Sequence, residues 1–304
     1  DGSSFGDSTF TAAWTDGFAR TGAVSLAGST YYVFNDSTAT PRDWRYDVNG
    51  NVDTSSDTYR YCMNRSESGR FTSVTIEATS TLAQKYANWY SYYRTRQLAM
   101  RSAAGKAMRG VGAEIRLGFT RISDSTSSGS RFLGTGEFSG TQRSSFYDLL
   151  YSTSASGRTP LRRTLSRVGR YYATAGTNAP IQYTCQRAYA LLTTDGYWNS
   201  DTGQVYALDG RTQIGDADAA EPRPYNGANA SPTLADVAQY YYQEDLRTDL
   251  ADELPPVAGD DAKGVLPDPN TRQHMNLFTL GLGLNGYLRP SDWADLKSAT
   301  GSKT

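Results

Sequence analysis

One carboxylate stands where open α/β sheets place their ligands. Tyr189 to Thr194 is a short apolar and β-branched run that stops at Asp195-Gly196, a turn signal. Such a run, bounded by turn residues, reads as a buried strand. Ligands of open α/β sheets gather at the carboxyl ends of strands. Asp195 is therefore the first candidate for a functional carboxylate, and its other reading is a plain turn residue. The remaining reactive types are few. Cys62 and Cys185 are the two cysteines, and His274 is the one histidine. One histidine argues against a zinc site or a histidine-based triad. It opens an apolar run, where a structural histidine is expected. No Gly-x-Ser-x-Gly elbow is present, so the scattered serines lack the strand–turn–helix setting of a hydrolase nucleophile.

Composition narrows the classes further. The 304 residues carry 30 basic and 31 acidic side chains, a net charge of -1, so bulk electrostatic capture of nucleic acid is not expected. No run of 18 apolar residues occurs, and the chain is not expected to span a membrane as a helix. The 22 tyrosines and 5 tryptophans supply material for cores and interfaces.

The elements that must position Asp195 follow in order. Residues 1–80 have little helical periodicity and read as turns and short strands, among them Ala23–Leu26, Tyr31–Phe34 and Phe71–Glu77. From Leu82 to about Val111, Trp89, Tyr93, Arg96, Met100, Ala103 and Ala107 recur at helical spacing with no proline, which predicts one long helix over 82–110. Ile115–Arg121 alternates as a strand, and a Ser/Gly loop, 123–130, follows. Phe146–Tyr151 reads as a helical turn. Thr159-Pro160 fits an N-cap and first helical position, and Leu161, Leu165, Val168 and Tyr172 form the stripe of a helix over 160–173. The Asp195 strand comes next, then a polar loop over 200–232. A helix over 233–246 is predicted with Thr233 as its cap, and a last strand covers Leu277–Leu282. Helix and strand alternate, which argues for a doubly wound, mostly parallel α/β sheet.

Several stretches in this order carry a resemblance. They are Tyr86-Ala-Asn-Trp89-Tyr-Ser-Tyr-Tyr-Arg94-Thr-Arg96, Thr159-Pro160-Leu161 with Gly169-Arg-Tyr-Tyr172, and Thr194-Asp195-Gly196-Tyr-Trp-Asn199. Thr233-Leu-Ala-Asp-Val-Ala-Gln-Tyr-Tyr-Tyr242 and Phe278-Thr-Leu-Gly-Leu-Gly283 complete the set. Together they resemble the amino-terminal von Willebrand factor A-like domain of type IV pilus tip-associated adhesins of the PilC/PilY type. The resemblance implies a Rossmann-like core over 81–304, with residues 1–80 as an irregular, partly β insertion packed on it. It implies a fragment of a longer protein whose carboxyl-terminal β-propeller lies elsewhere. It further implies export through the periplasm to the pilus tip, cell surface or outer membrane. The implied partners are minor pilins and a host-cell or abiotic surface.

The resemblance also bears on metal and thiols. Domains of this kind hold a divalent cation with three loops, and oxygen ligands of that sort suit Mg²⁺. Thr159 matches the second loop and Asp195 the third. The first, Asp-x-Ser-x-Ser, lies in the family before the region where this chain begins, next to a first strand that is central in the sheet. Asp124-Ser-Thr126-Ser-Ser128 has related letters but follows the wrong strand, and reads as a Ser-rich loop. The fragment is therefore expected to bind Mg²⁺ weakly or not at all. An exported protein meets an oxidising compartment, so Cys62 and Cys185 are expected to bridge; two free thiols are the alternative. Three functions follow. The first is a non-enzymatic adhesion and pilus-assembly domain supporting twitching motility and attachment. The second is a metal-free scaffold that primes pilus assembly through minor pilins. The third, more remote, is a hydrolase.

Overall fold

A computed structural model describes residues 8–34, 71–124, 127–195, 203–221, 232–260 and 267–282, together with 295 and 298. The elements are β1 (Thr30–Phe34), β2 (Phe71–Thr75), α1 (Thr81–Tyr92), α2 (Arg96–Ala107), β3 (Arg116–Phe119), β4 (Leu133–Glu137), α3 (Gly140–Ser152), α4 (Leu161–Tyr172), β5 (Ala188–Thr194), α5 (Leu234–Gln243) and β6 (Met275–Gly281). A single 3-10 turn, Met108–Gly110, follows α2. The mixture is α/β with small sheets: β1–β2, β3–β4 and β5–β6 form three separate two-stranded ladders. Among the described residues no helix is long and apolar enough to cross a membrane. The chain divides into two compact units, 1–106 with 285–304, and 107–284.

In the first unit β1 and β2 pair antiparallel, from Thr30 opposite Thr75 to Phe34 opposite Phe71. Phe10, Ala13, Leu26, Ile76, Ala83 and Ala87 form its core. The helix predicted over 82–110 is in fact two. Ser80 caps α1 by accepting from Leu82 N, and the chain leaves the helix at Tyr93. Thr95 then starts α2: its Oγ1 accepts from Leu98 N at 3.2 Å. Ser102 Oγ donates to Tyr92 O at 2.7 Å, so a carbonyl freed by the break finds a partner. The aromatic front does not all face inward either: Trp89 is half-exposed, while Tyr92 is buried and meets Phe18 edge-on at 5.2 Å.

The second unit holds the candidate site. Here β5 and β6 run parallel in register from Ala188 opposite Met275 to Thr194 opposite Gly281, as the two apolar runs predicted. β3 does not join them. It pairs antiparallel with β4, Arg116 opposite Glu137 and Leu117 opposite Gly136, with a bulge before Phe119 meets Leu133. The single sheet expected to contain 115–121, 189–194 and 277–282 is thus replaced, among the described residues, by two ladders. The connection from β3 to β4, residues 120–132, has no helix among its described residues, and a strand reached without a crossover helix pairs antiparallel. At Gly118 an added Cβ would lie 2.7 Å from Leu133 O, so only glycine lets the strands approach there.

Helix α3 covers the β3–β4 ladder, with Phe146 edge-on to Phe119 at 5.9 Å and to Phe138 at 5.4 Å. On α4 the predicted stripe buries Leu161 and Leu165, with Val168 and Tyr172 packed beside the core. That core joins α4, β5, α5 and β6 through Leu165, Ile181, Ala188, Val237, Tyr241 and Met275. The segment read as a polar loop contributes to it: Val205, Ala207 and Ile214 are buried. Tyr206 bridges Gln213 antiparallel across a turn in which Asp209 Oδ1 accepts from Arg211 N and Thr212 N, both at 2.8 Å. Thr233 caps α5, as expected, and it does so in a reciprocal capping box with Asp236. By contrast Thr159 does not cap α4. The helix starts at Leu161, and Pro160 occupies the cap position without a side-chain bond.

Gly169 marks the tightest approach. A Cβ there would lie 2.3 Å from the Tyr241 ring. Replacing Gly169 by alanine is expected to destabilise the unit by about 1–3 kcal/mol through overpacking, read as a lower urea midpoint. An unchanged midpoint would mean that the α4–α5 contact gives way freely.

Candidate functional site

The end of the fold that carries Asp195 is assembled by α4. Tyr172, in the last turn of α4, donates its hydroxyl to Tyr189 O at 2.7 Å, pinning that turn to the start of β5. Burial, with Tyr171 alongside, pushes the Tyr172 hydroxyl up to about 12, so it stays a donor. A 12-residue helix and a 7-residue strand are both roughly 20 Å long. Thr159 lies two residues before the start of α4 and Asp195 directly follows β5. Asp195 is exposed and Thr159 half-buried.

The loop after β3 packs on α4. Thr164 Oγ1 donates to Ile122 O at 2.6 Å. Arg167, buried on α4, donates to Thr120 Oγ1 at 3.0 Å, to Arg121 O at 3.3 Å and to Asp124 O. Gly157 packs on Ser123 with a φ of +89°, a conformation other residues rarely adopt. Asp124 is committed within this loop, 2.9 Å from Arg121 and 3.6 Å from Arg131. Burial works to raise its carboxyl, but the hydrogen bond and charge of Arg121, with Arg131, outweigh it and hold the group below the usual range. The Asp124–Ser128 letters therefore begin with an ion-paired carboxylate; residues 125 and 126 lie outside the described residues.

Of the two predicted metal residues, Asp195 is exposed at the end of β5, and Thr159 precedes the helix that holds the arginine-tied loop. One carboxylate and one hydroxyl do not fill the near-octahedral oxygen shell of Mg²⁺, so Thr159 and Asp195 alone would not make a tight site for that ion. The other predicted residues lie apart. Cys185 precedes β5 as an exposed free thiol, and Cys62 lies outside the described residues.

His274 is buried at the head of β6, with Nδ1 2.7 Å from Arg272 O and Nε2 3.1 Å from Asp268 Oδ2. Asp268 is the hub that sequence reasoning missed. It accepts from Tyr242 Oη at 3.1 Å, Arg187 Nη1 at 3.2 Å and Asn276 Nδ2 at 3.3 Å. Burial acts to raise its carboxyl, but the charge of His274 and the bonds from Asn276, Tyr242 and His274 prevail and hold it below the ordinary value. In turn, burial and then the Asp268 charge push the Tyr242 hydroxyl up to about 12.

Among the described residues, the group of metal-ligating side chains that comes closest together is elsewhere: Asp216, Asp218 and Asp236, with ligand atoms within 4.8 Å of one another. Asp236 already has structural work there. Its Oδ1 accepts from Ala217 N at 2.9 Å and Asp218 N at 3.4 Å, and its Oδ2 from Thr233 N at 2.6 Å and Thr233 Oγ1 at 3.0 Å.

Comparison with known proteins adds to this geometry. No family model matches the chain, and no solved structure matches it. The chain is 32% identical, over 94% of its length, to the type IV pilus biogenesis factor PilY1 of Pseudomonas aeruginosa strain PAK, covering 27% of that protein. It is 33% identical, over 91% of its length, to PilY1 of strain UCBPP-PA14, covering 25% of it. The chain thus spans about a quarter of the relatives it matches. Across nine-tenths of its own length it is similar to that quarter of the PilY1 type IV pilus biogenesis factors.

Proposed function

We propose that this chain is the von Willebrand factor A-like part of a type IV pilus tip-associated adhesin of the PilC/PilY family. In this reading it is non-enzymatic, is exported to the cell surface, and supports pilus assembly, twitching motility and attachment. The observation that carries the reading is the similarity to PilY1 over nine-tenths of the chain. The engagement of both ring nitrogens of His274 favours a structural over a catalytic role for it. The test is an in-frame deletion of residues 107–284 from the longer protein in its own cell. Loss of surface pili and twitching, restored by the intact gene, is expected. Normal piliation and attachment would refute the proposal. Lost attachment with normal piliation would select the adhesin over the assembly scaffold.

The finer fold belongs to the same proposal. Thr194 O accepts from Leu282 N, so in a parallel ladder the main-chain groups of Leu191 and Thr193 face away from β6. Tyr189, Leu191, Phe278 and Leu280 are half-exposed on one face of the ladder, whereas parallel sheets are normally covered on both faces. A further strand between β3 and β5, supplied by the longer protein, would join the ladders into one Rossmann-like sheet. It would also bring the missing Asp-x-Ser-x-Ser loop beside Thr159 and Asp195. The Leu191 and Thr193 amides are expected to exchange quickly in this chain and slowly in the longer protein. Calorimetric Mg²⁺ titration is expected to give a weak or null signal here, and a clear one in the longer protein that Asp195→Ala removes. A tight site in this chain alone would overturn the account of the missing loop.

A further inference from the structure

The outer edge of β6 is open, and a cavity lies along it. Leu282 N donates to Thr194 O, so Asn276, Phe278 and Leu280 carry the main-chain bonds to β5, and the N–H and C=O groups of Leu277 and Thr279 point the other way. Earlier on that outer edge, Thr271 O accepts from Leu254 N at 2.9 Å and Gln273 O from Leu246 N at 2.7 Å. The lining stops there: among the described residues nothing pairs with the main chain of Leu277 or Thr279. Exposed edges are usually blunted by charge, proline or a bulge. Met275–Gly281 has no charged residue and no proline, and its register with β5 is unbroken. The cavity, of about 270 Å³, adjoins this edge. Ala235, Ala238 and Gln239 of α5 line it with Met275, Asn276 and Leu277 of β6, and no described residue of β5 does. It is smaller than the roughly 300–1,000 Å³ of small-molecule sites, and suits a single large side chain. On the opposite face of the strand Phe278 and Leu280 are 58% and 51% exposed.

We propose that the β6 edge takes an extended segment of a partner protein as an added strand, with main-chain bonds at Leu277 and Thr279 and one large apolar side chain in the cavity. An extended main chain offers donors and acceptors in alternation at the spacing this edge presents, and a pocket for one side chain adds selectivity. The neighbouring side chains of the added strand fall on the opposite face, beside Phe278 and Leu280, so the segment is apolar on both faces. A second copy of β6 is a poorer occupant. Its exposed residues on the cavity's face are Thr279 and Gly281, which leave the space unfilled. The proposal uses β6 and α5 alone and does not depend on the pilus reading.

The test titrates the 304-residue chain with acetyl-Thr-Val-X-Val-Thr-amide, X being Ala, Leu, Met, Phe or Asp, and follows amide NMR shifts and hydrogen exchange at Leu277 and Thr279. Both amides are expected to exchange quickly in the free chain and at least tenfold more slowly at saturating Leu, Met or Phe peptide. The Ala and Asp peptides are expected to bind at least tenfold more weakly. Two copies of the best peptide, N-methylated on one or the other alternate set of residues, are expected to differ: methylation of the set facing β6 abolishes binding, and methylation of the other set does not. Thr279→Pro removes an edge donor without touching a bond to β5, and Ala238→Met fills the cavity; each is expected to weaken binding at least tenfold. Binding by no peptide, equal behaviour of the two N-methylated copies, or unaltered affinity in either variant would each overturn the proposal. Slow exchange of the two amides without peptide would do so as well, and its growth with protein concentration would name a second copy as the occupant.

Discussion

Replacing Asp268 by alanine is expected to cost about 3 kcal/mol or more, because it leaves Arg187 and His274 facing a site that has lost its anion. The carboxylate is only 12% exposed, and Arg187 is 20% exposed. The pH dependence separates its charge from its packing. The folded-state carboxyl titrates below its ordinary 3.8. Its charge-dependent stabilisation is therefore complete above the unfolded value and is lost as pH falls from about 4 through the lower, folded value. Asp268→Asn keeps the shape without the charge. Its deficit against the native chain, measured by urea unfolding, is expected to be full at pH 6 and to shrink below pH 4. A deficit constant between pH 3 and pH 6 would mean that the charge contributes nothing.

Tyr241→Ala is expected to have the largest effect of any single truncation in this unit. The side chain is fully buried, lies on Gly169, meets Tyr240 edge-on at 5.0 Å, and donates its hydroxyl to Tyr206 O at 2.7 Å. Removing a buried aromatic of this size costs about 3–5 kcal/mol. Tyr241→Phe removes only the hydroxyl, and Tyr206 O keeps its bonds from Ser166 Oγ at 2.7 Å and Arg170 Nη1 at 3.1 Å, so the loss is about 0.5–1.5 kcal/mol. The two variants should therefore differ by about 1.5 kcal/mol or more. Equal losses would show that the hydrogen bond, not the ring, holds the 205–214 segment to the helices.

What could be read in advance followed the strength of local patterns. The α4 stripe and the two apolar runs of β5 and β6 have few competing readings, and their parallel pairing follows from the helix between them. The break between α1 and α2 left no trace in the spacing, because the tie from Ser102 to Tyr92 O comes from ten residues away. β4 was hidden by Gly134 and Gly136, which interrupt the alternation that marks a strand. The buried hairpin over 205–214 did carry a signal, Asp209-Gly210, a strong short-range hairpin cue, but its surroundings are polar. Asp268 was illegible: nothing periodic distinguishes it in a Pro/Asp-rich loop, and its partners lie as far off as Arg187. For the site, strand and helix grammar set Asp195 directly after β5 and Thr159 just before α4. The commitment of Asp124 to arginines could not be read.

The β5–β6 ladder also sets how the chain must fold. Its first rung joins Ala188 to Met275, so no part of it can form until the intervening chain has been closed into a loop. Closure entropy grows slowly with length, yet it must be met before any rung rewards it, and such non-local parallel pairing is intrinsically slow. During that delay the apolar residues of both strands are open to other chains. Folding yield should accordingly fall as protein concentration rises, even where the finished unit is stable.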